Sequence, residues 1–412
     1  MKRLSLAVAA LVTLAACGGS DSDSSTDLTA PVTEAPADSS PATEAPVDTA
    51  PATEAPTTTI DPATLAIAYA ESGPHPVGVT TTQLAAGNQV EIWYPAVEDT
   101  TGTESYDVRD FVPDAIRALL TADVPAIYEY EASRDAEAAA GPFPVVLFSH
   151  GYSGIRLQST FLTAHLASWG MVVVSADHWS RDLFHVLSAP VGDRSSSIAE
   201  LSEALDLVIA ANTTAGGPFE GRIDDSRVVA VGHSAGGGTI VGAALADDRI
   251  DGYVSLASGV GVGGNTTTTA PLQLPSQPSF VIAGALDGVI SAETGTRASY
   301  DLVPGPSRLW IIDGVGHNGF DDFCTFGNGS GIIGVAIASG LGPLLEAQPT
   351  LRTLGEDGCL PPSVPVTETF PIIRHAVTAQ IRYWFGEDAE PIGLGPESAD
   401  AYTVGVDISS KD

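Results

Sequence analysis

Buried strands that alternate with helices are the feature of this sequence that most restricts its fold. Short apolar runs are typical of parallel strands covered on both faces. One continuous run lies at residues 145–148, and further mostly apolar runs lie at residues 171–174, 227–231, 253–256, 280–283 and 309–312. An alternating run at residues 90–94 predicts a half-buried strand. Apolar residues at helical spacing lie at residues 157–169, 195–211, 236–246 and 375–385. This alternation predicts an α/β fold with a mostly parallel central sheet and helices on both faces, formed by residues 63–412.

The N-terminus has the pattern of an export signal. Lys2 and Arg3 precede a short apolar run that is too short to span a bilayer as a helix. The run ends in Leu-Ala-Ala-Cys17, which resembles the bacterial lipobox, where the cysteine is lipidated. The alternative is an ordinary signal peptide with a chance cysteine. We predict a lipoprotein signal peptide over residues 1–17 and an exported protein, lipid-anchored to a cell-surface or periplasm-facing membrane through Cys17.

Residues 18–62 consist mainly of Ser, Thr, Ala, Pro and acidic residues, and the unit Thr-Glu-Ala-Pro recurs at Thr33, Thr43 and Thr53. Such a segment cannot bury enough apolar surface to offset the entropy of ordering it. Regularly spaced prolines favour extended conformations. We therefore predict a disordered tether that lifts the domain off the membrane; the alternative is a recognition role for the repeat.

The charge balance excludes several classes of function. Lys and Arg number 17 against 51 Asp and Glu, a formal net charge of −34, whereas a nucleic-acid surface needs clustered basic residues. The two lysines lie at the chain ends, at Lys2 and Lys411, so no lysine-based site is expected in the interior. Three cysteines are too few for a thiolate zinc site. We expect no nucleic-acid partner, and we expect a monomer.

The segment Gly232-His233-Ser234-Ala235-Gly236 lies between a buried strand and a helix. This is the G-x-S-x-G pattern in the strand–turn–helix context that raises a serine hydroxyl above a sheet edge. Glycines allow a turn that a Cβ would obstruct. The pattern also arises by chance in a chain with 43 glycines, but its context predicts a nucleophile at Ser234.

A nucleophilic serine needs a base and an orienting acid, which in such sheets follow in the order Ser, acid, His after later strands. Asp287 and His317 each follow a predicted strand in that order. Among the rivals, His375 falls inside the final helix, Asp313 could cap a turn, and Asp251 precedes its strand. We predict Asp287 as the acid and His317 as the base.

An acyl-transfer intermediate also needs two N–H donors for its oxyanion. One is the N–H of Ala235, the residue after the nucleophile. The other is expected from the loop at residues 149–154, where Tyr152 follows His-Gly. The alternative is that this loop is only a glycine-rich turn.

Three motifs of this chain together resemble those of the α/β-hydrolase superfamily: Phe148–Gly154, Gly232–Gly237 and Gly316-His317. Within it the chain is similar to the dienelactone-hydrolase-like branch, which includes platelet-activating-factor acetylhydrolases, chlorophyllases and cutinase-like polyester hydrolases. Residues 92–96 and 167–173 are also similar to that branch, and the resemblance covers about residues 75–320. It implies hydrolysis of small or medium acyl esters or lipids through an acyl-serine, without a metal or organic cofactor.

The chain departs from that branch at two positions. Polyester hydrolases usually carry an aromatic residue before the serine and a Trp after the next strand, where this chain has His233 and the Ser258-Gly259 region. Dienelactone hydrolases proper use a cysteine nucleophile, which Ser234 excludes. Two alternatives to an esterase remain open: a serine peptidase or amidase on the same fold, and a non-catalytic binding lipoprotein on a hydrolase scaffold.

A segment rich in Gly and Pro, residues 318–370, follows the predicted base and is interpreted as a possible cap over the acyl site. It contains Cys324 and Cys359, the two thiols that remain if Cys17 is lipidated. Because disulfides form outside the cytoplasm, we predict that these two are paired. The alternative is two buried free cysteines.

Overall fold

The computed structural model describes residues 62–121, 123–188, 197–259 and 273–412. The predicted signal peptide with Cys17 lies outside these residues, as does the predicted tether up to its last residue. Residues 61–412 form one compact unit. Among the described residues, no helix combines the length and the apolar character that a membrane span requires.

Twelve strands are present in the described residues: β1 Val77–Gln83, β2 Gln89–Pro95, β3 Thr103–Asp107, β4 Ile127–Glu131, β5 Ser133–Arg134, β6 Phe143–Ser149, β7 Val172–Ala176, β8 Ile223–His233, β9 Gly252–Leu256, β10 Ser279–Gly284, β11 Ser307–Ile312 and β12 Val406–Lys411. Ten of them form one sheet in the order β12-β11-β10-β9-β8-β6-β7-β2-β1-β5, and β3 pairs with β4 separately. The strands from β7 through β6, β8, β9 and β10 to β11 are parallel to their neighbours. The outer strands β2, β1 and β12 run antiparallel to the strands on their inner side.

The α-helices of the described residues are α1 Pro62–Leu65, α2 Asp114–Arg117, α3 Thr160–Ser168, α4 Leu183–Leu187, α5 Ser197–Thr213, α6 Ala235–Ala246, α7 Ala298–Leu302, α8 Gly331–Ala338, α9 Gly342–Glu346, α10 Pro349–Glu356 and α11 Val366–Trp384. Short 3₁₀ turns occur at Val108–Phe111, His317–Phe320, Phe323–Thr325, Gly327–Gly329 and Pro396–Ala401, and Ala292–Arg297 is a π-helical turn.

The two faces of the sheet bury separate apolar cores. Along β8, Val229 and Val231 belong to one core, and the alternate residues Val228 and Ala230 belong to the other. This is the two-residue period of a strand covered on both sides. Helices α3 and α11 contribute to the first core, and α5 and α6 contribute to the second. The predicted α/β fold is therefore confirmed.

The segment at residues 318–370, interpreted from sequence as a loop, contains helices instead. Helices α8, α9 and α10 lie within it, and α11 already begins at Val366. The apolar spacing predicted this last helix only from residue 375. In the structure the helix runs through Pro371.

Candidate active site

Ser234 occupies the sharp turn between β8 and α6. Its backbone has φ 53° and ψ −119°, a left-handed conformation that is strained for a residue with a Cβ. A Cβ at Gly232 would collide with the carbonyl of Gly236, and one at Gly236 would collide with the carbonyl of Ser149. The two glycines of the motif are therefore required by close backbone approach, which leaves the serine half-buried at the end of the strand.

His317 connects Ser234 to Asp287. Its Nε2 lies 2.8 Å from Ser234 Oγ, and its Nδ1 lies 2.9 Å from Asp287 Oδ2. Asp287 follows β10 and His317 follows β11, so both lie at the carboxyl ends of adjacent parallel strands. The second carboxylate oxygen of Asp287 accepts the N–H groups of Val289 and Ile290, at 2.8 and 2.7 Å, which fixes its orientation. The structure thus brings the three predicted residues together.

The predicted oxyanion donors lie beside the serine. A Cβ built on Gly151 would lie 3.3 Å from the Cβ of Ser234, so the loop packs against this residue. The Gly151 N–H donates to Gln158 Oε1 at 3.0 Å. No hydrogen bond between described residues uses the N–H groups of Tyr152 or Ala235. Both are therefore available to a bound oxyanion.

A family model described as PET hydrolase-like matches residues 134–333, and one described as platelet-activating factor acetylhydrolase, isoform II, matches residues 69–194. A ferulic acid esterase from Streptomyces cinnamoneus superposes with a TM-score of 0.54 at 21% sequence identity, over 80% of this chain and 96% of that one. The chain has the α/β-hydrolase fold, and it is similar to both families.

The curated relatives that the chain matches include cutinases. Cutinase est2 of Thermobifida alba is 25% identical over 42% of this chain and 53% of the relative. Cutinase 2 of Thermobifida cellulosilytica is 26% identical over 42% of this chain and 60% of the relative. The chain thus spans between half and two thirds of the length of these relatives. The predicted similarity to platelet-activating-factor acetylhydrolases and cutinase-like polyester hydrolases is confirmed, and the PET hydrolase-like match includes both positions of departure, His233 and Ser258.

The rival candidates for the acid and the base lie elsewhere. His375 is buried in α11, where its Nδ1 accepts the N–H of Tyr69, and burial lowers its pKa to about 4. Asp251 accepts the N–H of Val228 in the middle of β8. Asp313 is exposed, and its N–H donates to the carbonyl of Gly405. None of the three contacts His317.

Asp357 is a residue of the site that the sequence analysis missed. Its Oδ1 accepts the N–H of His317 at 2.6 Å, and its Oδ2 accepts the N–H of Gly288 at 3.0 Å. One carboxylate thus ties the loop of the base to the loop of the acid. The structure joins Cys324 and Cys359 in a disulfide, which anchors the chain two residues beyond Asp357. The proximity of Asp357 to Cys359 in sequence was the only signal that could have pointed to this residue.

His233, noted in the sequence only as a departure, links the loop of Gly151 to the loop of His317. Because Gln158 Oε1 accepts the Gly151 N–H, the amide nitrogen of Gln158 faces His233 Nδ1, at 2.6 Å. His233 Nε2 then donates to the carbonyl of His317 at 3.0 Å. Burial lowers the pKa of His233 to about 3, with the neighbouring His317 as a further cause, so the ring is neutral in this position.

Three exposed residues with large apolar side chains belong to the site or lie within two residues of it in sequence. They are Tyr152, Leu286 and Val289, and each exposes more than a third of its surface. A cavity of about 480 Å³ lined by Glu91, Arg134 and others contains none of the Ser234–His317–Asp287 residues. No group of three or more His, Cys, Asp or Glu side chains among the described residues is arranged to hold a metal ion.

Proposed function

We propose that this α/β hydrolase is a serine carboxylic-ester hydrolase that acts on small or medium acyl esters or lipids. The observation that carries the proposal is the hydrogen-bonded chain from Ser234 through His317 to Asp287. The names of the relatives, cutinases among them, support an ester as the substrate class. The predicted signal peptide and tether would place the enzyme at a cell surface, anchored through Cys17.

In the first half of the reaction, His317 Nε2 accepts the proton of Ser234 as Oγ attacks the ester carbonyl. Asp287 accepts the Nδ1–H and stabilises the imidazolium that forms. The N–H groups of Tyr152 and Ala235 stabilise the oxyanion. His317 then returns its proton to the leaving alcohol, and the acyl group remains on Ser234.

In the second half, His317 removes a proton from water, which attacks the acyl-serine and releases the acid. No sequence motif specific to a peptidase or amidase is present, so an amidase is the weaker alternative. The apolar side chains of Tyr152, Leu286 and Val289 favour an apolar acyl or alcohol group.

The test is hydrolysis of p-nitrophenyl esters of increasing chain length, with a peptide p-nitroanilide as the amidase arm. Ser234→Ala should lower kcat by about 10³–10⁶ without loss of folding, because one hydroxyl is removed. Ser226→Ala, on the same strand at its opposite end, is the matched control and should be unchanged. A fluorophosphonate should add mass to the wild type but not to Ser234→Ala.

Ester turnover by Ser234→Ala within tenfold of the wild type would refute the nucleophile. A wild type that binds an ester but neither turns it over nor reacts with the fluorophosphonate would indicate the non-catalytic alternative. Faster cleavage of the anilide than of every ester would indicate an amidase.

A further inference from the structure

One buried residue holds the loop of Tyr152 from both sides. The Nε of Arg181 donates to the carbonyl of His150 at 3.0 Å, and the carbonyl of Arg181 accepts the N–H of Ser153 at 2.8 Å. Tyr152 lies between these two anchor points. Only 6% of Arg181 is exposed, so solvent does not compete for these hydrogen bonds.

The same guanidinium is connected to the second oxyanion donor. Its Nη1 donates to Thr239 Oγ1 at 2.9 Å, and that hydroxyl donates to the carbonyl of Ala235 at 3.1 Å. Ala235 and Thr239 belong to the first turn of α6. Arg181 thus connects the loop of Tyr152 to the helix that presents the N–H of Ala235.

A third contact holds the guanidinium in place. Nη2 donates to Ser149 Oγ at 2.8 Å. Ser149 Oγ lies 2.9 Å from His178 Nε2, and His178 Nδ1 lies 2.8 Å from Glu200 Oε2. Since the Ser149 oxygen accepts from Arg181, its hydroxyl is free to donate to His178.

This Ser149–His178–Glu200 chain has nearly the same distances as the chain at Ser234, but it cannot reach a substrate, because Ser149 and His178 are completely buried. Burial, together with the Arg181 charge, lowers the pKa of His178 well below its usual range, so the ring is neutral. Burial also lowers the pKa of Arg181, to about 10, which leaves it a cation at neutral pH. The Ser149–His178–Glu200 chain of hydrogen bonds therefore holds the Arg181 cation in a fixed position in the interior.

We propose that Arg181 is a positioning residue that sets the geometry of the oxyanion hole, with the Ser149–His178–Glu200 chain as its support. The inference rests on the proposed function, because it assumes that Tyr152 and Ala235 stabilise an oxyanion. Arg181 acts through these residues and does not contact the substrate. Its removal therefore affects the transition state more than the bound ester.

The test is Arg181→Lys, which keeps the charge but cannot span the three acceptors on two separate segments, since an ammonium lacks the planar fork of a guanidinium. The concentration of active sites is first determined by titration with a fluorophosphonate to its end point. Relative to the wild type, kcat of Arg181→Lys should fall by about 10- to 100-fold, while KM changes less than threefold. The affinity for an alkylboronic acid, which forms a tetrahedral adduct on the serine, should fall by a similar factor. Thr239→Val, which breaks the connection to Ala235, should lower both by a smaller factor.

Arg308→Lys is the matched control. Arg308 is a partly buried arginine that donates to Gln380 Oε1 and the carbonyl of Leu394, away from Ser234. It should lower the melting temperature and leave kcat per active site unchanged, as a merely structural arginine would. If Arg181→Lys does not fold, Thr239→Val decides the question by the same two measurements.

The positioning role would be overturned if Arg181→Lys and Thr239→Val both kept the wild-type kcat and boronic-acid affinity. If Ser234→Ala were inactive in the same experiment, the proposed esterase function would be unaffected. A wild type without ester hydrolysis would overturn both proposals. The two failures are therefore distinguishable.

Discussion

Loss of the disulfide between Cys324 and Cys359 should destabilise the domain by an amount that depends on the length of the loop that the disulfide closes. The two residues are separated by 35 positions. In the chain-entropy account, closing a loop of that size stabilises the folded state by about 4 kcal/mol. Unfolding about 350 residues at about 2.1 cal/mol/K each gives an entropy of about 0.7 kcal/mol/K. The double variant Cys324→Ser, Cys359→Ser should therefore melt about 5 °C lower than the wild type.

The same change should lower activity, because the segment that it releases carries Asp357. The carboxylate of Asp357 holds the N–H groups of His317 and Gly288, and Cys359 lies two residues further on. A small displacement of a positioned base is costly, so we expect kcat to fall by about tenfold. Because this segment borders the base, the preference between short and long acyl esters should change as well.

The assay combines calorimetry, ester kinetics and alkylation of the denatured, unreduced protein. Treatment of the wild type with a phosphine reductant should reproduce the double variant, and the same treatment of the double variant is the control and should change nothing. Two alkylated thiols in the unreduced mature domain would refute the disulfide. A double variant with an unchanged kcat would refute the connection through Asp357 but not the disulfide.

Two further predictions concern Asp287 and His375. Asp287→Asn should lower kcat by about 10⁴, because His317 loses its orienting carboxylate, whereas Asp313→Asn should be silent; the reverse result in ester kinetics would make Asp313 the acid. His375 has a folded-state pKa of about 4 against about 6.5 unfolded, so between those values it takes up its proton only on unfolding, and stability falls with falling pH. His375→Gln should reduce the difference in unfolding free energy between pH 6 and pH 5 by about 1.2 kcal/mol, measured by denaturant titration at both pH values.

The centre of the fold was predictable because its strands are buried on both faces. The runs at residues 228–231 and 280–283 are continuous and apolar, which is the pattern of β8 and β10. The outer strand β12 has no such pattern: it reads Val-Asp-Ile-Ser-Ser-Lys, and it is a strand because it pairs with β11. Helix α8 begins at a glycine and contains another, which is poor helix propensity that tertiary packing overrides.

The candidate site residues were predictable for a related reason. Parallel strands deliver their following residues to one sheet edge, so order along the chain and placement after a strand were sufficient to select Ser234, Asp287 and His317. Asp357 and Arg181 were not predictable in this way. Their contacts are made by side chains to backbone groups of loops far away in sequence, and no local pattern encodes such contacts.

The side chains of Arg181 and Asp357 hold those site residues that lie several positions beyond the end of their strand. Ser234 directly follows β8, so the strand and the glycine turn are enough to hold it. Tyr152, Asp287 and His317 lie three, three and five residues beyond β6, β10 and β11. At that distance the sheet no longer fixes the backbone. Instead, Arg181 forms hydrogen bonds to the loop of Tyr152, and Asp357 accepts hydrogen bonds from the loops of Asp287 and His317. The sheet therefore determines which residues meet, and polar side chains from other segments determine how closely they meet.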